Sequence, residues 1–471
     1  MSTELARLHV CVVGLGIAGF AAADALIHND AVVTVLDISE SDSTRERATI
    51  LDILGATVIL GDDSTLPPDA ELLVLSPGVS PLAPIVMAAQ KAGIPIWGEL
   101  ELAWQLRKLR SDDAPWLTIT GTNGKTTTTL MLASILEASG RRAIAAGNIG
   151  QSLVEVMMHP SPWDAIAVEV GAPQLPFIHE VSAQAAVCLN LAPDHIDLFG
   201  SFEAYRDAKA RIYERTQVAA IFNQADAQTI HMVEQAEVIE GCRAIGFTLG
   251  IPDVSMVGVV DEFMVDRAFL ESRRDNALEM ALITDLEIPA RHNVENALAA
   301  IALARAHGVE AKHIRDGLRA WKPAAHRIAT VATIRGVTYI DDSKATNTHA
   351  AATSLKAYDS IVWIAGGMAK GQEFDDLVSE NQQRIKGVVL LGVDQDVIAD
   401  SLTRIAPHIP IHRVIESQPQ AMTSVVRYAS EMASDGDTVL LAPGCASWDM
   451  FRDYGHRGTA FADAVKEIAQ S

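Results

Sequence analysis

The stretch Gly121-Thr-Asn-Gly-Lys-Thr-Thr-Thr128 constrains the fold more tightly than any other part of the chain. It follows the apolar run Trp116–Thr120 and precedes a segment with apolar residues at Leu132, Ile135 and Leu136 that stops at Gly140. A short apolar run, a glycine turn and a helical period closed by glycine read as strand, loop and helix. In such a loop the backbone N–H groups turn inward, the helix N-terminus favours negative charge, and a lysine reaches terminal phosphates. Gly121, Thr122, Asn123, Gly124, Lys125, Thr126 and Thr127 thus read as a phosphate cradle. The spacing departs from the usual loop with four residues between its glycines, since Gly121 and Gly124 enclose two and Ile119 takes the earlier position. A plain strand–helix turn is the alternative.

Strand-like runs alternate with helical periods along all 471 residues. That alternation predicts an α/β protein with parallel sheets, and the length exceeds one ordinary core. A polar stretch at 107–115 and a break at Trp321-Lys-Pro-Ala-Ala-His-Arg327 divide the chain into three expected domains, 1–108, 109–325 and 326–471. The expected architecture is a Rossmann-like first domain, a central P-loop ATPase-like domain and a Rossmann-like last domain.

The first domain opens with His9-Val-Cys-Val-Val-Gly-Leu-Gly-Ile-Ala-Gly19, then a helical period, then a strand at 31–36 ending at Asp37. This is a Gly-x-Gly-x-x-Gly turn with an acid about 20 residues further on. Gly14, Leu15, Gly16 and Asp37 therefore mark a nucleotide-sized anion site, without specifying NAD. The strand Leu72–Leu75 runs into Ser76-Pro-Gly78, another loop of the same kind.

In open parallel sheets the chemistry gathers beyond the carboxyl ends of the strands. In the central domain the run 165–168 delivers Glu169, and the run 185–191 delivers Pro193-Asp194-His195. A carboxylate beside a phosphate loop suits Mg²⁺, which keeps several waters and takes few protein ligands. Each group alone is more often structural; the three together, aimed at one edge, read as a site. On a helix that Ser201 can cap, Phe202, Tyr205, Lys209 and Ile212 share one face, while Arg206 and Asp207 point elsewhere. Desolvation favours a neutral lysine amine, which can take up CO₂ as a carbamate and so become an acidic metal ligand. Periodicity alone favours the blander alternative, a lysine snorkelling at the edge of the core.

The last domain repeats the plan. Runs at 337–340, 361–364 and Thr438–Leu441 lead into Asp341-Asp-Ser-Lys-Ala-Thr-Asn347, Gly366-Gly-Met-Ala-Lys-Gly371 and Ala442-Pro-Gly-Cys-Ala-Ser447. These loops offer hydroxyls, a lysine and bare backbone to an anionic small molecule, although each alone is also ordinary turn chemistry.

A formal net charge of −23 argues against nucleic acid and anionic membranes as partners. The apolar N-terminus is interrupted by Gly14, Gly16, Gly19 and Asp24 with no basic stretch before it, and no run of about 20 apolar residues follows, so a cytoplasmic protein is expected. The four cysteines, Cys11, Cys188, Cys242 and Cys445, lack Cys-x-x-Cys spacing and read as buried thiols rather than a disulfide framework or zinc site.

With these motifs, together with Gly147-Asn-Ile-Gly150, Tyr205-Arg-Asp-Ala-Lys209 and His292-Asn-Val-Glu-Asn-Ala297, nearly the whole chain resembles the Mur ligases of peptidoglycan synthesis. The phosphate loop is common to all of them and to folylpolyglutamate synthetases. The stretch at Asp342, Gly366-Gly-x-x-Lys370 and Cys445-Ala-Ser447 favour the branch that adds D-glutamate. The resemblance implies an ATP-dependent amide ligase in which the L-alanyl carboxylate of UDP-N-acetylmuramoyl-L-alanine becomes an acyl phosphate and D-glutamate attacks it; a monomer is expected, although the sequence itself is silent on oligomeric state. It implies two Mg²⁺ ions held by Thr126, Glu169, His195 and a carbamylated Lys209, with Lys125 at the terminal phosphates, which reverses the blander reading of Lys209. It implies Asn293, Asn296, Arg327, Asp342 and Lys344 around the ATP. Gly14, Leu15, Gly16, Asp37, Ser76, Asn148 and Gln174 would meet the UDP-linked substrate, and Thr346, Lys370, Ser447, Trp448 and Tyr454 the D-glutamate. The chain departs from the family after Glu169, where Val170-Gly-Ala-Pro-Gln-Leu175 replaces a run with two serines and a phenylalanine; Ala192 and Gly444 also stand where Thr and Ala are commoner. Altered substrate contacts or a slower enzyme are expected from this. Competing readings are a related ligase for another amino acid or acceptor, an NAD-dependent dehydrogenase, which leaves Glu169 and Lys209 unexplained, and a noncatalytic nucleotide-binding module.

Overall fold

The computed structural model describes residues 5–110, 113–323, 326, 328–415 and 421–470. Three sheets carry the architecture. The first has five parallel strands in the spatial order Thr57–Leu60, Val32–Asp37, His9–Val13, Leu72–Leu75, Ile96–Gly98. The strand order reverses between His9–Val13 and Leu72–Leu75, which opens a crevice at their carboxyl ends where open α/β sheets bind ligands. Gly14 and Ser76 meet there.

The central sheet has nine strands. Within it Trp116–Thr120 lies between Ala165–Glu169 and Ala185–Cys188, all parallel, with Ile119 opposite Glu169 and Thr120 opposite Cys188. The phosphate loop, the acid and the segment leading to His195 therefore leave neighbouring strands at one edge. The third strand is shorter than the apolar run 185–191 predicts. Leu189 still donates its N–H to Thr120, but Asn190 then turns its amide onto the phosphate loop and the chain leaves the sheet.

The expectation of parallel sheets holds at the sheet centres and fails at two edges. Met256–Val260, Phe263–Asp266 and Leu278–Leu282 are antiparallel, as are Ala329–Ile334 and Val337–Asp341. The last pair is joined by Arg335-Gly336, both at positive φ (+51° and +78°). A two-residue turn of that hand makes a hairpin, whereas parallel neighbours need a long crossover. The remaining strands of the third sheet, Val337–Asp341, Thr438–Leu441, Ile361–Gly366, Ile385–Leu391 and Ile411–Arg413, are parallel in that order.

Contacts divide the chain into two compact units, one of residues 1–193 and 198–322, the other of 194–197 and 323–471. Within the first unit the first two sheets share a core: Val12 and Val35 belong to the same buried cluster as Val168 and Ala186, with Trp104 edge-on to Trp116 at 5.0 Å. The second unit has buried clusters on both faces of its own sheet, around Trp363 and around Phe461. Among the described residues no helix is long and apolar enough to cross a membrane.

Candidate active site

The phosphate loop closes onto the helix Lys125–Ala138, whose N-cap, Gly124, has φ +83°. A Cβ at Gly124 would lie 2.3 Å from Asn296 Oδ1, so both the backbone conformation and the close approach demand glycine. Asn296 also accepts the Thr128 hydroxyl at 3.3 Å, which lodges the helix Arg291–Ala306 against the loop. Asn293, in that helix's first turn, donates to the Ile288 carbonyl, and both asparagines are buried. Lys125 folds back on its own loop, donating to the carbonyls of Gly121 (2.8 Å) and Thr122 (2.9 Å). Thr126 and Thr127 are buried in the first turn.

Sequence reasoning missed the residue that shapes this loop. Asn190 accepts the Thr122 N–H at its carbonyl and the Asn123 N–H at its side-chain oxygen, and returns a bond from Nδ2 to the Asn123 carbonyl. Thr122 and Asn123 thus spend their N–H groups on Asn190. An amide side chain just beyond a strand that neighbours a phosphate loop was the available signal.

Lys209 lies on the helix Phe202–Ala210, which Ser201 caps through Ala204 N–H. Its amine is not at the edge of the core. The residue is 1 % exposed, and Nζ donates to the Gly121 carbonyl (2.9 Å) and Thr120 Oγ1 (3.2 Å), with the Tyr205 ring 5.0 Å away. Thr120, also missed, donates its own hydroxyl hydrogen bond to the Val170 carbonyl, next to Glu169. One threonine therefore ties the lysine to the strand end that bears the acid. The signal was a polar residue closing a buried strand, which periodicity treats as neutral.

Glu169 is buried, and Asn148 Nδ2 donates to its Oε1 at 3.2 Å. Its Oε2 is buried with no hydrogen-bond partner among the described residues. An unpaired buried carboxylate oxygen is costly, and a cation would offset that cost. The donor set fits magnesium, which takes one or two carboxylates and fills its shell with water and phosphate oxygens.

After Glu169 the chain makes a 3-10 turn, Ala172–Phe177, in which Gln174 Oε1 accepts the Gly171 N–H at 2.9 Å. Gln174 Nε2 donates to Glu99 Oε2 at 3.2 Å, and Glu99 Oε1 accepts from the Ser152 hydroxyl (2.7 Å) and the Leu153 N–H (2.8 Å). Burial raises the Glu99 pKa above the ordinary carboxyl range, against the lowering effect of the bonds from Ser152 and Leu153. Glu99 follows the strand Ile96–Gly98 directly, so the rule that found Glu169 would have found it too.

In the first sheet's crevice the Ser76 hydroxyl donates to the Gly14 carbonyl at 2.8 Å. A Cβ on Gly19 would lie 1.7 Å from that same carbonyl, so the third glycine of the motif lets the helix Ile17–His28 abut the turn. The Asp37 carboxylate accepts the N–H groups of Leu15 and Ser39. Leu15 is buried and Gly16 is exposed at the turn's tip.

Asp194–Asp197, and His195 with it, is grouped with the second unit. Lys370, at φ +53°, pairs with Asp194 at 3.3 Å, and Asn347 Nδ2 reaches the other oxygen of Asp194 at 3.4 Å. Asp342 is buried and accepts the Ser354 hydroxyl. Lys344 Nζ stands 3.8 Å from the centre of the Tyr454 ring, and Thr346 is half-buried beside it in sequence. Ser447 is buried, whereas Trp448 is 65 % exposed. Arg327 lies outside the described residues. The buried Arg457 joins three of these strand ends, donating to Ser343, Gly366 and Cys445 carbonyls, and burial lowers its pKa to about 10. All four cysteines are free; burial pushes Cys11 and Cys445 up to about 12 and Cys188 to about 11, so no thiol here is a ready nucleophile.

Comparison with known proteins gives this geometry its context. Residues 8–98 match a family model described as Mur ligase MurD-like, N-terminal domain; residues 119–304 match the Mur ligase middle domain; residues 326–445 match the Mur ligase, glutamate ligase domain. The chain is 54% identical over 460 residues to a UDP-N-acetylmuramoylalanine--D-glutamate ligase of Streptomyces avermitilis, covering 98% of each chain. It is 52% identical to the protein of the same description in Streptomyces coelicolor, covering 99% of this chain and 100% of the other. Among solved structures, the MurF ligase of Thermotoga maritima in complex with ADP aligns over 100% of this chain and 99% of its own at a TM-score of 0.58 and 15% identity, a likeness of fold. A phosphate loop bracketed by a buried lysine and a carboxylate, three matching domains and full-length relatives at this identity lead to one conclusion: the chain belongs to the Mur ligase family.

Proposed function

We propose that this chain is an ATP-dependent amide ligase that joins D-glutamate to UDP-N-acetylmuramoyl-L-alanine through an acyl phosphate, as a cytoplasmic monomer. The observation that carries this reading is the meeting of three groups at one sheet edge: the phosphate loop, the half-satisfied carboxylate of Glu169, and the amine of Lys209 buried behind Gly121. A free carboxylate has no adequate leaving group, so phosphorylation must precede attack by the amine. Acceptor carboxylate and triphosphate repel each other, and bringing them together needs fixed positive charge.

Lys125 supplies part of that charge once it exchanges the carbonyls of Gly121 and Thr122 for phosphate oxygens. Glu169 and Thr126 would hold a magnesium ion, with His195 and Lys209 completing a second site. Bound magnesium would neutralise the phosphate oxygens and the acceptor carboxylate. For Lys209 to take part it must be anionic: its neutral amine adds to CO₂, the new N–C bond forms, one proton leaves, and a carbamate remains. Asn293 and Asn296 would sit at the adenine. In the first domain, bounded near residue 108, Ser76 and the Gly14–Gly16 turn would hold the uridine diphosphate, with Asn148 and Gln174 nearer the acceptor. In the domain beyond residue 325, Asp342 and Lys344 would face ATP, and Thr346, Lys370, Ser447, Trp448 and Tyr454 would line the D-glutamate pocket, where Lys370 suits a dicarboxylate.

The test is phosphate release with ATP, Mg²⁺ and UDP-N-acetylmuramoyl-L-alanine while amino acids are added singly. D-glutamate alone should support turnover. Release driven by L-alanine, L-lysine or diaminopimelate would assign the chain to another branch.

A further inference from the structure

Among the described residues the hydrogen bonds of Glu99 go not to the phosphate loop or Glu169 but to the two segments that flank Asn148 and Glu169. Its Oε1 accepts the Ser152 hydroxyl and the Leu153 N–H, fixing the segment that follows Gly147 and Asn148. Its Oε2 accepts Gln174 Nε2, and Gln174 in turn holds the Gly171 N–H, fixing the turn that follows Glu169. Asn148 and Glu169 are themselves joined by two bonds, from the Asn148 backbone N–H to the Glu169 carbonyl (2.9 Å) and from Asn148 Nδ2 to Oε1 (3.2 Å).

We propose that Glu99 is a positioning residue for the acceptor end of the site: its buried carboxyl group locks the segments carrying Asn148 and Glu169 to the first sheet. The inference rests on the ligase reading above. Leu153 opens the helix Leu153–Met158, where its N–H has no partner within the helix, and Glu99 accepts it. Among the described residues the Ser152 hydroxyl, the Leu153 N–H and Gln174 Nε2 all donate to the Glu99 side chain. The site thus calls for a group that accepts at both oxygens, which a carboxylate does and an amide does not. Glu99 opens the helix Glu99–Leu109 at the end of the last strand of the first sheet. That placement lets the domain assigned to the uridine diphosphate set the register of the groups that meet the other end of the same substrate.

Glu99→Gln isolates the tie. The glutamine oxygen can still serve Ser152 and Leu153, but its NH₂ then faces the NH₂ of Gln174, which cannot flip because its oxygen holds Gly171. Steady-state kinetics, calorimetric binding of UDP-N-acetylmuramoyl-L-alanine without the other substrates, and thermal melting should be run on wild type, Glu99→Gln and Ser152→Ala. In Glu99→Gln the acceptor KM and Kd should rise about tenfold and kcat fall, as when a partner orienting a binding group is removed. The KM for D-glutamate, whose proposed pocket lies beyond residue 325, should stay within about twofold, a split that lost stability alone would not produce. Ser152→Ala, which deletes one bond, should shift the acceptor KM by about two- to fourfold in the same direction. It decides the matter should Glu99→Gln fail to fold. Unchanged acceptor parameters in the variants, or equal losses for all three substrates with a lower melting temperature, overturn the inference while normal wild-type turnover leaves the ligase reading standing. A wild type that neither binds the acceptor nor turns over sinks both.

Discussion

The amine of Lys209 lies behind the first carbonyl of the phosphate loop, in a place where a lysine serves structure or chemistry but not solubility. Its helical period placed it on an apolar face with Phe202 and Tyr205; only the packing put Nζ within 3.2 Å of Thr120 Oγ1. If the amine is a carbamate in the working enzyme, Lys209→Ala should lower kcat by about a hundredfold or more, the cost expected for losing a positioned metal ligand. Formate or acetate added at millimolar levels should restore part of that activity by standing where the carbamate stood. Assays with and without the carboxylates check this, together with a carbamate carbon resonance in wild-type protein equilibrated with ¹³C-bicarbonate. A folded variant that no small carboxylate rescues would count against the carbamate.

Among elements, the strand–loop–helix at Trp116–Ala138 was legible because each part has its own local signature: a buried run, two glycines and a 3.6-residue period. The bracket around it was not. Asn190 is 67 residues from Asn123 and meets it only because Ala185–Cys188 lies beside Trp116–Thr120 in the sheet. Asn190→Ala removes both side-chain bonds to Asn123. It should raise the KM for ATP about tenfold and cost about 1 kcal/mol of stability, since one half-buried loop N–H loses its partner. Kinetics with varied ATP and denaturant melts would measure the two effects; an unchanged ATP KM would show that the loop keeps its shape without the bracket. The two antiparallel edges were hidden for a different reason. In the third sheet the hairpin turns on only two residues, Arg335-Gly336, which carry no asparagine or aspartate to announce a left-handed turn.

For the whole molecule the informative fact is which segments share a core. The polar stretch at 107–115 divides the chain by composition, yet Trp104 and Trp116, on either side of it, pack edge to face in one cluster that spans the first two sheets. The 323–471 unit instead has buried clusters on both faces of its own sheet. Expressed alone, residues 323–471 should therefore fold and melt cooperatively, whereas residues 1–108 should not, because the cut exposes the apolar surface around Trp104 to water. Circular dichroism on heating, with dye binding as a measure of exposed apolar surface, distinguishes these outcomes. A cooperative transition in the 1–108 fragment would mean that the shared core is dispensable.

Sequence alone determined what depends on near neighbours: the alternation of strands and helices, the glycines at turns, the lysine and threonines of the phosphate loop, and the acid at the end of 165–169. Those features obey rules of steric freedom, periodicity and strand direction that act over a few residues. Tertiary structure decided what depends on register between distant strands: that Thr120 links Lys209 to the Glu169 strand, that Asn190 spends two loop N–H groups, that Glu99 ties down the segments on either side of the acid, and that His195 is grouped with the C-terminal unit. A hydrogen bond between residues many tens of positions apart leaves no local period in the chain, so it becomes visible only once the sheets have fixed which ends lie side by side.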